Sequence, residues 1–145
     1  MGNKTRGLTL KAVLDTYPLM IFFKNEKGAE EVQRVLDGVE RGEIEGLVST
    51  LTLSEVFYIL ARFRGVDFAE TVLKYVEVNL RSISVSEGIA RKGGEFKFKY
   101  GGGLPLADAI IAATASEEKA VLISGEEHFG RVKEIEVKSP GEFFR

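Results

Sequence analysis

The chain has 145 residues, with 20 Lys+Arg against 22 Asp+Glu for a net charge of -2, one His, no Cys and no Trp. That inventory excludes thiolate catalysis, iron-sulfur clusters and tetrahedral zinc sites, and leaves His128 as the only imidazole for a nucleophile-His dyad, so carboxylates must carry most of any polar chemistry. The near-neutral balance removes the global basic footprint of a dedicated duplex-DNA binder, while the length fits one domain, 1–145, whose core needs neither disulfides nor a structural metal.

In chain order, Lys11-Ala-Val-Leu-Asp15 reads as a short buried strand ending in a carboxylate, and Pro18 fits the first turn of a following helix. The charge-free apolar run Leu19 to Phe23 is too short for a signal peptide or a membrane span, so a cytoplasmic protein without a membrane partner is expected. Ala29 to Gly42 is amphipathic, with Val32, Val35, Leu36 and Val39 at helical spacing. Leu47 to Thr50 supplies the next strand, and Thr52 opens an apolar helix that runs to Gly65. Asp67 reads as an N-cap, Val72, Val76 and Leu80 as a helix face, and Arg81 to Val85 as a strand. The helix expected over Glu87 to Tyr100 is interrupted by Gly93-Gly94, at a cost of about 1 kcal/mol per Gly relative to Ala. Gly101-Gly102-Gly103 ends it and lacks the Gly-Lys-Ser/Thr ending of a phosphate loop. Leu104-Pro105 starts a helix rich in small residues, and Ala120 to Ser124 and Ile135 to Val137 are the last strands. Strands alternating with helices predict a three-layer α/β/α sandwich around a mostly parallel sheet of four to five strands.

In a parallel sheet, strand C-termini and the N-termini of the returning helices gather at one edge. Four carboxylates are expected there: Asp15 after the first strand, Glu55 after the second, Asp108 in the first turn of the small-residue helix, and Glu126 after the fourth strand. Each has a purely structural alternative. Asp15 could cap the helix after it, Glu126 could cap a short turn, Thr52-Leu-Ser-Glu55 fits a capping box, and Asp108 complements a helix dipole. Four acids crowded on one edge nevertheless repel one another unless protons or a cation compensate. A hard divalent cation, Mg2+ or Mn2+, takes oxygen ligands and commonly binds through carboxylates beside substrate phosphates, which makes metal-assisted hydrolysis the favoured reaction class.

These residues resemble the PIN-domain nucleases, and among them the VapC-type toxins of prokaryotic toxin-antitoxin pairs. The resemblance runs from Val13-Leu-Asp15-Thr16 to Lys138-Ser-Pro; its most specific pieces are Leu104-Pro-Leu-Ala-Asp108-Ala-Ile-Ile-Ala-Ala-Thr-Ala115 and Val121-Leu-Ile-Ser124-Gly-Glu126-Glu-His-Phe129. Ser49 to Glu55 is similar to the segment that carries the family's second acid. The resemblance implies a metal-dependent endoribonuclease of single-stranded RNA, with Asp15, Glu55, Asp108 and Glu126 as metal-site acids and Ser124 as a supporting hydroxyl. It also implies a small antitoxin partner. The family pattern usually has Asp in place of Glu126 and Thr in place of Ser124, and the Tyr17-Pro18 pair after Asp15-Thr16 is atypical, which places a change at the mouth of the groove.

Arg91, Lys97 and Lys99 are candidate RNA contacts, since Lys97, Lys99 and Tyr100 interleave with Phe96 and Phe98 in a pattern that offers phosphate contacts and base stacking; a solvated helix with buried aromatics explains the same pattern. Arg131 with Lys133 is a further basic pair. The helix from Thr52 to Phe63 has more large hydrophobes than one face of a small sheet hides, which suggests a partner, most simply a second copy in a homodimer. Two rival functions remain. One is a haloacid-dehalogenase-like phosphatase, which wants a second Asp where this chain has Tyr17; the other is a non-catalytic RNA- or protein-binding domain whose acids are caps.

Overall fold

A computed structural model describes residues 9–125 and 127–144. Strands β1 (Leu10–Leu14), β2 (Ile44–Ser49), β3 (Arg81–Ile83), β4 (Val121–Ile123) and β5 (Val137–Lys138) form one sheet in the order β3-β2-β1-β4-β5. Every neighbouring pair is parallel, so the expectation of a mostly parallel sheet resolves to five strands running one way. The central strand explains its own composition: β1 is covered on both faces, and Ala12, Val13 and Leu14 are fully buried.

Residues alternate between two helical layers. Ala12, Leu14, Val48 and Ile123 pack on a layer made of α1 (Thr16–Phe23), α2 (Ala29–Glu40), α3 (Thr50–Arg64) and α4 (Val66–Asn79). Val13, Leu47 and Leu122 face the opposite layer, α5 (Glu87–Tyr100) and α6 (Leu106–Glu118). The small side chains of α6, with Ala109, Ala112, Ala113 and Ala115 fully buried, let its backbone sit close to both the sheet and α5.

Local starts and stops differ from the sequence expectation in instructive places. Helix α3 begins at Thr50, because Ser49 at the end of β2 takes the cap position and its Oγ accepts a hydrogen bond from Leu51 N at 3.1 Å. The capping box over Thr52 to Glu55 is therefore not formed, and Glu55 lies in the second turn. Gly65, with a φ of 98° that favours glycine, precedes α4, so Asp67 sits in that helix's first turn instead of capping it. Strand β5 is Val137–Lys138, later than expected.

Helix α5 runs unbroken through Gly93-Gly94. The reason lies across the layer: a Cβ on Gly93 would stand 2.8 Å from Ile110 Cγ1 and 3.1 Å from Ile110 Cα, so the glycine is what lets α5 and α6 touch. Gly94 faces open space. Gly93→Ala is therefore expected to destabilise the protein by about 1–3 kcal/mol through overpacking, whereas Gly94→Ala stabilises it by up to about 1 kcal/mol through helix propensity. Urea denaturation of the two variants checks the opposite signs.

Candidate functional site

The register β1–β4 pairs Leu14 with Ile123, and one step further brings Asp15 beside Ser124. Asp15 N donates to Ile123 O at 3.0 Å, and Ser124 Oγ donates to Asp15 Oδ2 at 2.9 Å. Both residues are buried, Asp15 at 3% exposure and Ser124 at 2%. Asp15 occupies the position before α1, yet its side chain makes no capping hydrogen bond to that helix. The carboxylate is held by the neighbouring strand's hydroxyl, which is not what a cap would do.

Glu55 comes to the same place from α3. Thr16 Oγ1, in the first turn of α1, donates to Glu55 Oε1 at 2.5 Å and also lies 3.3 Å from Thr52 Oγ1. One hydroxyl following Asp15 thus fixes the direction of the second acid. The sequence offers a signal for this in retrospect, a threonine directly after a strand-ending aspartate, but its partner is 39 residues away along the chain.

Asp108 arrives from the other layer, in the first turn of α6, where the helix dipole favours a carboxylate. Asp15, Thr16, Tyr17, Met20, Glu55, Ile59 and Asp108 together line one cleft of about 210 Å³. Three of the four acids singled out in the sequence are therefore gathered, one from the central strand and one from each helical layer. Glu126 lies outside the described residues, as does the side chain of His128.

The polar groups of this cleft are carboxylates and hydroxyls, an all-oxygen set of the kind that hard cations prefer. Among the described residues no three Asp, Glu or His side chains converge into a metal-holding group. The acids line the cleft without closing on one point.

The basic candidates stand elsewhere. Arg91 is exposed and pairs with Glu95 at 3.7 Å along α5. Lys97 Nζ donates to the carbonyls of Leu104 at 2.8 Å and Gly101 at 3.3 Å, closing the turn into α6. Lys99 Nζ lies 2.8 Å from Glu134 Oε2, and this hydrogen bond raises the lysine above its ordinary value and lowers the glutamate below its own. Tyr100 Oη donates to Glu134 Oε1 at 2.6 Å and accepts from Lys133 N at 3.1 Å. These contacts fasten the stretch that follows β4 to the end of α5. Of the interleaved aromatics, Phe96 is buried and Phe98 is 91% exposed.

Comparison with known proteins agrees with this architecture. Residues 12–135 match the PIN domain family model, and the chain belongs to the PIN-domain family. No curated protein matches it significantly in sequence. Among solved structures it is similar to a toxin-antitoxin complex from Klebsiella pneumoniae, at 26% identity and a TM-score of 0.69, covering 91% of this chain and 99% of that one. It is similar to VapBC2 from Rickettsia felis bound to a DNA fragment from their promoter, at 18% identity and a TM-score of 0.75, covering 90% and 98%. It is also similar to VapC20 of Mycobacterium tuberculosis, a sarcin-ricin loop cleaving toxin, at 14% identity and a TM-score of 0.71, covering 88% and 98%.

Removing the Ser124 hydroxyl leaves the buried Asp15 carboxylate with one donor fewer. Ser124→Ala is expected to lower stability by about 1–3 kcal/mol, the cost of under-satisfying a buried charged acceptor. Urea denaturation at neutral pH measures it, and unchanged stability would show that the bond contributes nothing.

Proposed function

We propose that the protein is a Mg2+- or Mn2+-dependent endoribonuclease that hydrolyses phosphodiester bonds of single-stranded RNA, and that it is the VapC-type toxin of a toxin-antitoxin pair. The observation that carries this reading is that Asp15, Glu55 and Asp108 line one cleft, whose polar groups are all oxygens, in a PIN-domain chain. The resemblance to the Klebsiella toxin-antitoxin complex supports the toxin reading, and that to a toxin described as cleaving the sarcin-ricin loop supports RNA as the substrate class.

In this reading Asp15, Glu55 and Asp108 hold the cation, and Glu126 completes or tunes its surroundings. Bound there, the cation supplies neutralisation of phosphate charge and a lowered pKa for a water. The chain's own contribution is orientation. Ser124 fixes Asp15, and Thr16 fixes Glu55. A bond forms between the water oxygen and phosphorus as the bond from phosphorus to the departing ribose oxygen breaks. The water's proton passes to solvent, and the departing oxygen gains one from solvent.

The same reading gives the protein an antitoxin partner, a homodimeric state and a cytoplasmic setting, with residues 1–145 as one domain. Tyr58 and Phe63 on α3 are 51% and 44% exposed, apolar surface suited to a partner. Among the described residues no helix is long and apolar enough to cross a membrane.

The decisive experiment is cleavage of an unstructured RNA with and without Mn2+. Asp15→Asn or Asp108→Asn is expected to abolish metal-dependent cleavage while leaving the fold intact by circular dichroism, and full activity in both variants would overturn the reading. Mn2+ should also raise the Tm of the parent and not that of Asp108→Asn, because a ligand stabilises only the state that binds it. A second expectation concerns Thr16. Thr16→Val should raise the Mn2+ concentration for half-maximal cleavage several-fold, with Thr16→Ser restoring it, as titration of rate against Mn2+ would show.

A further inference from the structure

Tyr17 is the residue of the cleft that the carboxylate chemistry does not use. It sits in the first turn of α1, directly after Thr16, and its ring is 44% exposed although Pro18, Leu19 and Met20 beside it are buried. One side of the ring is seated. A Cβ on Gly125 would stand 2.4 Å from Tyr17 Cε2 and 2.7 Å from Cδ2, so the backbone just beyond Ser124 lies against the aromatic edge and a side chain there would push the ring aside. The ring therefore rests along one edge on Gly125 and is open to solvent elsewhere.

The cleft's charge shows what that something must offer. Among the described residues that line it none is Lys or Arg and three are carboxylates, so these side chains offer a polyanion no coulombic attraction. Affinity for a nucleic-acid strand has to come from another source in addition to the cation. Stacking of bases on aromatic rings is such a source, tolerant of sequence and independent of side-chain charge. Met20 and Ile59 line the same cleft and extend the apolar surface around the ring.

The geometry points to Tyr17, flanked by Met20 and Ile59, as the seat for an unpaired nucleobase of the RNA strand, next to the phosphate held over the carboxylates. This rests on the nuclease reading for the identity of the strand. It assigns to the atypical Tyr17 a task of positioning substrate, with no role in proton transfer.

The test separates the two ideas. Binding of a labelled, unstructured RNA octamer is measured by fluorescence anisotropy in a Ca2+ background, a cation that also takes oxygen ligands, with Asp108 left intact and the octamer shown to be uncleaved at the end of the titration. In that background Tyr17→Ala should weaken binding about tenfold or more, and Tyr17→Phe should leave it within about twofold, in keeping with the contribution of one base stack. An octamer lacking its bases should bind the parent weakly and be indifferent to Tyr17→Ala. Gly125→Ala, which displaces the ring without removing it, should weaken binding of the intact octamer. Because Tyr17 is exposed, the Ala variant should melt within a few degrees of the parent. In the cleaving protein, Tyr17→Ala should raise KM and leave kcat nearly unchanged. Absence of octamer binding by the parent, equal binding by Tyr17→Ala, or equal weakening for intact and abasic octamers would overturn the assignment. Tyr17-dependent binding by a protein that cleaves no RNA with Mn2+ would keep the base seat and remove the nuclease reading. Cleavage that is indifferent to Tyr17 would do the reverse.

Discussion

Asp15 is 3% exposed, and a carboxylate removed that far from water is costly unless donors surround it. The chain supplies one from the adjacent strand: Ser124 Oγ reaches Asp15 only because β1 and β4 are neighbours, parallel, and in the register that pairs Leu14 with Ile123. Much of the topology can be read outward from that requirement. After β1 the chain lays down β2 and β3 on one side, then returns across the sheet to place β4 and β5 on the other. Right-handed crossovers put the helices of the two excursions on opposite faces, which is why α1 to α4 form one layer and α5 with α6 the other. The reversal of direction falls at β1, and a crevice at the carboxyl ends of the strands opens where that reversal occurs.

The crevice receives one acid from each layer because each layer begins a helix there. Asp108 lies within the first turn of α6, where partial positive charge from unpaired backbone N–H groups offsets part of its repulsion with Asp15. Glu55 is a turn further into α3 and gains less from that source. Its side chain is instead tethered by Thr16, itself close to Thr52, so a small hydroxyl cluster does for Glu55 what the helix end does for Asp108. The three carboxylates are thus compensated by three different local devices, and they line a shared cleft without collapsing onto one point.

What the sequence makes legible here follows from which forces act locally. The buried strand ending in Asp15 is visible because a two-sided strand is an apolar run, and α6 because its alanines declare a close-packed helix. Strand ends meet at one edge in any parallel sheet, so the gathering of Asp15, Glu55 and Asp108 could be anticipated from strand order alone. The start of α3 could not, since Ser49 and Thr52 are both competent caps and only the end of β2 decides between them. Gly93 reads as a helix breaker until Ile110, 17 positions away, shows why a side chain is excluded. Lys97 and Lys99 fit a phosphate-contacting pattern along the chain, yet Leu104 O and Glu134 hold their ammonium groups. Alternation of basic and aromatic residues carries no information about such long-range partners.

The two ends of the sheet treat charge in opposite ways. At the end where the strands begin, Lys11 of β1 pairs with Glu118 at the close of α6, and Arg81 of β3 pairs with Glu45 of β2 and again with Glu118. Each of these exposed or half-exposed pairs contributes little to stability. Together they leave that edge with acids and bases matched. At the other edge the hydroxyls of Ser124 and Thr16 hold Asp15 and Glu55, and among the described residues no Lys or Arg lines the cleft these share with Asp108. A net charge of -2 over 145 residues therefore conceals a polarised molecule. On the proposed reading, a cleft so arranged would repel an anionic strand until a cation entered, and such a strand would have to be held by something other than side-chain charge. On the nuclease reading proposed above, oxygen ligands for the cation and an aromatic ring at the cleft would meet those two demands separately, so the tightness of substrate binding and the charge needed for hydrolysis need not be drawn from the same residues.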